Sequence, residues 1–573
     1  MSQQIIQSEQ KETEVFSKNA NEESDHSSQT YELCGKRYNS NHTESESYHA
    51  YGEVIQKKRK TDSPKQIKFE KNIVIDEIEN LTQKYEKLEV IGEGGFGVVY
   101  KVLDRETKLI KAMKRLKKNK LIQTDNELEL LKRLDHPNII RIFDFYQDEE
   151  DFYIITEYIE GGCLFDEIQK LSKRYFNFSI IKFDFNISLK KLKQQFNEYH
   201  ACQIMQQILM AVNYAHSINI VHRDLKAENV LIQYNEQESR YHVKVIDWGL
   251  SVLVEHNQKL HIDCGTSYFK APEVINRCYD EKCDLWSCGA LMYELLSGCP
   301  PFDAETDDEI EEKILQGGYS LPTEYFGGVS VEAIDLLKKL LTYIPSFRIS
   351  AKQALEHSWF KKVNNKDLSQ RSLMKGLNRM RQFKADKFML KYIMTFFAIH
   401  TMSPEENNQL TNLFNQIDKD QDGKISHEEM AQALKSVYNT YKDNEGVEQT
   451  SQEQLSDDEI SEIINHIDFN QNGEIEYTEF LVAAMRKYTL QNEEFLYKVF
   501  DIFDKDGDGF ISLQEVKDKL QNNLQEFEFD SEVWNQIIKE VDEDGDKEIS
   551  FDEFKSIINT YFIKNDYSNS QAY

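Results

Sequence analysis

The residues best suited to do chemistry stand in one run, His222-Arg223-Asp224-Leu225-Lys226-Ala227-Glu228-Asn229. A hydroxyl that attacks ATP needs a proton acceptor held close to it, and Asp224 is placed for that role. Lys226, two residues on, can neutralise the transferring phosphoryl group. Asn229, five residues past the Asp, can offer an oxygen to Mg2+. Taken alone this is a polar loop between two apolar stretches. Its weight comes from the motifs that flank it in order.

Upstream, Ile91-Gly92-Glu93-Gly94-Gly95-Phe96-Gly97-Val98-Val99 fits G-x-G-x-x-G-x-V, whose glycines let backbone N–H groups approach phosphates. Val98-Val99-Tyr100-Lys101-Val102 continues as a strand, where a dinucleotide-binding turn would start a helix. Ala112-Met113-Lys114 follows, with Lys114 reaching the phosphates. Glu127, ahead of the apolar run Leu128–Leu134, is the expected partner of Lys114; Glu129, two residues along a helix, faces elsewhere. Tyr153-Ile154-Ile155-Thr156-Glu157-Tyr158 reads as another strand. Downstream lie Asp247-Trp248-Gly249, Ala271-Pro272-Glu273, Asp284-Leu285-Trp286-Ser287-Cys288-Gly289 and Arg348.

This ordered set resembles the protein kinases over about residues 85–360. The resemblance implies that Asp247 holds Mg2+ and that Trp248 plugs the apolar spine. Thr156 then guards the adenine pocket, and Glu157 and Tyr158 offer backbone hydrogen bonds to adenine. The Asp284 helix braces the catalytic loop, and Arg348 pairs with Glu273. Lys226 points to Ser/Thr rather than Tyr substrates. Three departures stand out. Cys163 occupies a place that is usually acidic and touches a basic substrate residue. No Ser, Thr or Tyr lies between Val252 and Gly265, so something other than phosphorylation must order that segment. Residues 170–194 look inserted, either as a functional loop or as translated intron sequence.

The final third repeats a twelve-residue pattern. Ca2+ takes six to eight oxygens, a sharp mid-loop turn and a closing bidentate carboxylate. The first loop offers Asp418, Asp420, Asp422, the Lys424 carbonyl and Glu429, turning at Gly423. The second offers Asp468, Asn470, Asn472, the Glu474 carbonyl and Glu479, turning at Gly473. The third offers Asp504, Asp506, Asp508, the Phe510 carbonyl and Glu515, turning at Gly509. The fourth offers Asp542, Asp544, Asp546, the Glu548 carbonyl and Glu553, with Lys547 in place of the turn glycine. Position eight is Ile425, Ile475, Ile511 and Ile549, as expected if loops pair through a short strand.

Composition agrees with a metal-binding rather than a nucleic-acid-binding chain. The 573 residues carry a net charge of −31. From Ser403 onward there are 40 acidic against 14 basic residues, net −26, which suits cations or a basic peptide as partner. No apolar run approaches the ~18 residues of a membrane helix. The polar N-terminus predicts no signal peptide, Ser2 in place of Gly predicts no myristoylation, and no membrane anchor is evident. Eight scattered cysteines without a C-x-x-C pair suit free thiols in a reducing cytoplasm. Residues 1–84 are too poor in large apolar side chains to offset ordering entropy and read as a disordered tail. Lys57-Lys58-Arg59-Lys60 within it reads as a solvated linker.

Between the two halves, Arg371, Lys375, Arg379, Arg381, Lys384, Lys387 and Lys391 interleave with Leu373, Leu377, Met380, Phe383, Phe388, Tyr392, Ile393 and Phe396. Leu373, Leu377, Met380 and Phe383 follow helical spacing. A basic amphipathic helix beside an acidic EF-hand domain resembles a calmodulin target tethered to its receptor. The whole arrangement resembles the calcium-dependent protein kinases of plants and protists. That implies an α+β two-lobed kinase fold at 85–360, an autoinhibitory junction at 361–402, an all-α calmodulin-like domain of four EF-hands at 403–562 and a C-terminal tail at 563–573. It also implies ATP, Mg2+ and Ca2+ as cofactors, protein Ser/Thr substrates, a monomer, and release of the junction helix by calcium.

Overall fold

A computed structural model describes residues 75–558 apart from 95–96, 106, 119–129, 132, 171–195, 237–238, 256–257, 362–369, 382, 384–393, 396–397, 439–454, 486–492, 505, 513, 516–540 and 557. Glu127, Gly95, Phe96, nearly all of the insert, residues 1–74 of the N-terminal tail and the C-terminal tail therefore lie outside the described residues.

The β-branched and aromatic runs of the first half build one sheet. Its strands are β1 (Ile75–Glu77), β2 (Tyr85–Gly94), β3 (Gly97–Asp104), β4 (Ile110–Lys117), β5 (Ile142–Gln147) and β6 (Asp151–Glu157), in the order β1-β5-β6-β4-β3-β2. The β2–β3 hairpin carries the glycine-rich turn. Antiparallel pairing sets Lys114 opposite Val99 on β3 and Ile154 on β6, and Ala112 opposite Thr156. Register thus brings Lys114 under the glycine loop.

Order begins ten residues earlier than composition suggested. Ile75–Glu77 pairs in parallel with Phe145–Gln147, and α1 (Ile78–Lys84) follows it. Leu81 is buried with Tyr85, Val102, Met113, Tyr146, Tyr153 and Ile155. A short apolar stretch docked on a sheet edge escapes an average taken over a polar tail.

The large lobe is helical around α2 (Glu198–Ser217), capped by Asn197 accepting from the His200 N–H at 2.8 Å and buried along most of its length. Four short strands line its cleft face: β7 (Ile220–Val221) with β10 (Val252–Leu253), and β8 (Val230–Asn235) with β9 (Arg240–Val245). Then come α3 (Lys282–Ser297), α4 (Asp307–Gln316), α5 (Val331–Leu340) and α6 (Ala351–Leu355). Arg348 and Glu273 form a buried bidentate pair, as the resemblance implied. Removing one partner of such a pair costs about 3–5 kcal/mol, so it fixes the end of the substrate-binding segment.

The last part is α7 (Gln370–Arg381), α8 (Pro404–Ile417), α9 (His427–Tyr438), α10 (Asp457–Ile467), α11 (Tyr477–Ala484) and α12 (Glu493–Phe503). Its loops pair through β11 (Ile425–Ser426) with β12 (Glu474–Ile475) and β13 (Phe510–Ile511) with β14 (Ile549–Ser550). The position-eight residues meet, Ile425 opposite Ile475 and Ile511 opposite Ile549. The apolar side of the junction, Leu377, Met380 and Phe383, lies in this EF-hand core. Among the described cysteines, Cys163, Cys202, Cys264, Cys283, Cys288 and Cys299 are free thiols. No helix among the described residues is long and apolar enough to cross a membrane.

Candidate functional site

The catalytic loop is held from below by one carboxylate. Buried Asp284 at the start of α3 accepts the backbone N–H groups of His222 and Arg223, each at 2.9 Å. His216 Nε2 lies 2.9 Å from the same carboxylate. Two left-handed residues, Arg223 (φ 69) and Asp247 (φ 60), turn the chain where the reactive groups emerge. Trp248 is buried and packs at a tilt against the His222 ring, the centroids 4.5 Å apart.

Lys226 and Asn229, both predicted, meet at Asp224, and Thr266 joins them. Lys226 Nζ lies 2.8 Å from Asp224 Oδ2. Asn229 Nδ2 donates to the Asp224 carbonyl at 2.8 Å and to Oδ2 at 3.1 Å, which leaves the Asn229 side-chain oxygen for a cation. Thr266 donates its N–H (3.0 Å) and hydroxyl (2.8 Å) to Asp224 Oδ1, and Lys226 also donates to that hydroxyl at 2.8 Å. A carboxylate and an ammonium therefore bracket one hydroxyl-sized position.

Lys114 and Asp247 meet from opposite lobes at 2.8 Å. Burial would raise the Asp247 carboxyl, but Lys114, with smaller help from His222 and Lys226, outweighs it and holds the group below the usual range. At the hinge, the Glu157 N–H is already bonded to the Arg141 carbonyl at 3.0 Å, and its carboxylate to Lys244 at 2.8 Å. Of the backbone groups assigned to adenine, the Glu157 N–H is thus committed, and the Glu157 carbonyl accepts the Thr156 hydroxyl at 3.2 Å. Cys163 carries a thiol that burial pushes up to about 11. It is uncharged at neutral pH and offers no counter-charge to a basic substrate residue.

The segment without a phosphosite is pinned by other means. Leu260 and Tyr279 exchange backbone hydrogen bonds, Tyr279 donates its hydroxyl to the Ile262 carbonyl at 2.7 Å, and Arg223 reaches the same hydroxyl at 3.4 Å. Lys270 bridges Asp263 at 2.9 Å and Glu311 at 2.6 Å. Sequence reading missed Tyr279 and Asp263. Only their position beside the catalytic loop singles them out.

In the acidic loops, ligand oxygens of Asp418, Asp420 and Asp422 lie within 4.8 Å of one another, as do those of Asp504, Asp506 and Glu515 and those of Asp542, Asp544 and Glu553. Glu429, Asp508 and Asp546, expected in the first, third and fourth sets, stand outside these clusters. Asp508 and Asp546 cap the position-seven N–H groups of Phe510 and Glu548, as Asp422 within its cluster caps that of Lys424. The second loop has Asn470 and Asn472 where the others have carboxylates. Its Glu479 accepts the Phe469 N–H at 2.8 Å. Burial and neighbouring carboxylates push Asp418 and Glu479 up to about 8. Crowded acceptors of this kind fit a hard divalent cation.

The turn positions are left-handed throughout: Gly423 (φ 86), Gly473 (φ 87), Gly509 (φ 92) and Lys547 (φ 74). Lys547 keeps the same hydrogen bond as the glycines, its N–H to Asp542 Oδ2 at 2.9 Å. The left-handed region costs a non-glycine residue about 1–2 kcal/mol. Lys547→Gly is therefore expected to tighten calcium binding at the fourth loop by roughly five- to thirtyfold. Calorimetric titration of the full chain measures this, and an unchanged fourth affinity contradicts the strain argument.

Comparison with known proteins agrees with both halves. A protein kinase domain model matches residues 85–360, and an EF-hand domain pair model matches 407–485 and 493–558. The chain is 34% identical over 486 residues to calcium-dependent protein kinase 4 of Plasmodium falciparum, covering 83% of this chain and 86% of that one. It is 35% identical over 491 residues to calcium-dependent protein kinase 4 of Plasmodium berghei, with the same coverage of each. With calcium-dependent protein kinase 19 of Arabidopsis thaliana the identity is 31% over 485 residues, 83% of this chain and 80% of that one. A phosphoryl-transfer site, a junction helix and paired acidic loops in one chain, shared with these relatives along most of their length, make this chain a member of the calcium-dependent protein kinase family.

Proposed function

We propose that this chain transfers the γ-phosphoryl group of ATP to Ser and Thr hydroxyls of proteins when its own EF-hands hold calcium. One observation carries the reading: the chain that presents Asp224, Lys226 and Asn229 together also buries its basic junction in its own EF-hand core. Asp224 accepts the proton of the substrate hydroxyl. Lys226 offsets charge on the phosphoryl oxygens, and the β2–β3 glycine turn covers the phosphates. Asn229 and Asp247 would hold Mg2+, which would supply positive charge to offset that of the phosphates. The acidic loops would hold Ca2+. Without it, the junction returns to the catalytic cleft and blocks it.

The magnitudes suffice. Moving such a switch from 1:99 to 99:1 needs about 5.5 kcal/mol. Over four loops that is about 1.4 kcal/mol each, a tenfold preference per site. Phosphorylation of a Ser/Thr peptide should rise on the order of a hundredfold between chelator and saturating Ca2+. Equal rates in both conditions defeat the proposal. A single chain is the functional unit, acting in the cytoplasm.

A further inference from the structure

The first calcium loop differs from the others in what it touches. A Cβ placed on Gly473 or Gly509 meets nothing within 4 Å. On Gly423 it comes within 2.6 Å of His136 Cδ2 and 2.7 Å of Tyr214 Cδ2. Those two rings are buried in the catalytic half and stack at 5.2 Å. Beside them, Asn213 Nδ2 donates to the Gln421 carbonyl at 2.9 Å. On the helix leading into the loop, Asn412 accepts from Arg240 at 3.3 Å. Lys352 Nζ, on α6 of the large lobe, lies 3.1 Å from Asp420 Oδ2. The partner loop adds the Thr478 N–H, donated to Asp135 Oδ2 at 2.8 Å.

We infer that the first loop is at once a metal site and the docking element of the EF-hand domain on the catalytic lobe, and that Lys352 competes with calcium for Asp420. The inference rests on the calcium reading above. Gly423 is needed twice, for the left-handed turn and because only a bare Cα fits against the His136 and Tyr214 rings. Asp420 is a loop ligand that carries a kinase-side cation as counter-ion. Coupling between two binding events is reciprocal, so the loss of Lys352 must alter calcium affinity at this loop. An exposed ion pair shifts an equilibrium by about two- to fivefold.

The test uses the full chain with Glu479→Gln, Glu515→Gln and Glu553→Gln, so that calorimetric titration reports the first loop. Lys352→Ala in that background should tighten calcium binding about two- to fivefold. A second readout is amide hydrogen exchange at residues 133–138 and 211–217 of the calcium-loaded chain. Gly423→Ala should raise exchange there, while Gly473→Ala, which strains an equivalent turn, should leave it unchanged. Unchanged or weaker calcium binding in Lys352→Ala overturns the competition. Equal exchange in the two glycine variants overturns the docking. If the unsubstituted chain takes up no calcium at all, the calcium reading itself falls and takes this inference with it.

Discussion

Asp224→Ala is expected to lower peptide phosphorylation at saturating Mg-ATP and Ca2+ by about 10²–10⁴-fold, the usual contribution of a positioned general base. Its surroundings argue for the upper part of that range. Asp224 accepts the Thr266 hydroxyl and N–H on one oxygen and faces Lys226 and the Asn229 amide on the other, so its loss releases four groups at once. Lys114→Met should be similarly severe, because it removes the cation that meets Asp247 across the lobe interface. Neither residue contacts the acidic loops, so calcium titration of both variants should match the wild type. Residual activity within tenfold of wild type would sink the assignment of Asp224.

The second large effect concerns the junction. Leu377, Met380 and Phe383 are about 1% exposed or less. Burying a large apolar side chain contributes roughly 1.5–3 kcal/mol, so three give about the 5.5 kcal/mol that a two-state switch requires. The double variant Leu377→Asp, Phe383→Asp should lose this anchorage. With the EF-hand core no longer holding it, the junction stays in the cleft, and activity at saturating Ca2+ should fall on the order of a hundredfold toward the calcium-free level. Removing everything from Arg371 onward should restore activity and make it indifferent to calcium. If the truncated protein is folded yet inactive, the junction and EF-hands activate rather than inhibit, and the release model is wrong.

Much of this molecule follows from short-range chemistry. The catalytic loop, the glycine turn and the acidic loops each pack their functional groups into a dozen residues or fewer. Local backbone geometry then brings those groups together, whatever the rest of the chain does. The left-handed Lys547 and the pairing of Ile425 with Ile475 and Ile511 with Ile549 were legible for the same reason, because loop position alone dictates them.

What tertiary structure decided involves partners far apart in sequence. Nothing near Leu81 shows that it will be buried on a sheet edge, and nothing near Tyr279 shows that it will hold Ile262 and Arg223. The hinge carboxylate of Glu157 is spent on Lys244, and its N–H on Arg141, through strand register. Helical spacing marked the apolar face of the junction, but an amphipathic face is satisfied by any apolar partner. Only packing chose the EF-hand core for Leu377, Met380 and Phe383. The contact of Gly423 with His136 and Tyr214 is likewise invisible in either segment, since a turn glycine reads the same whether its open side faces water or another domain.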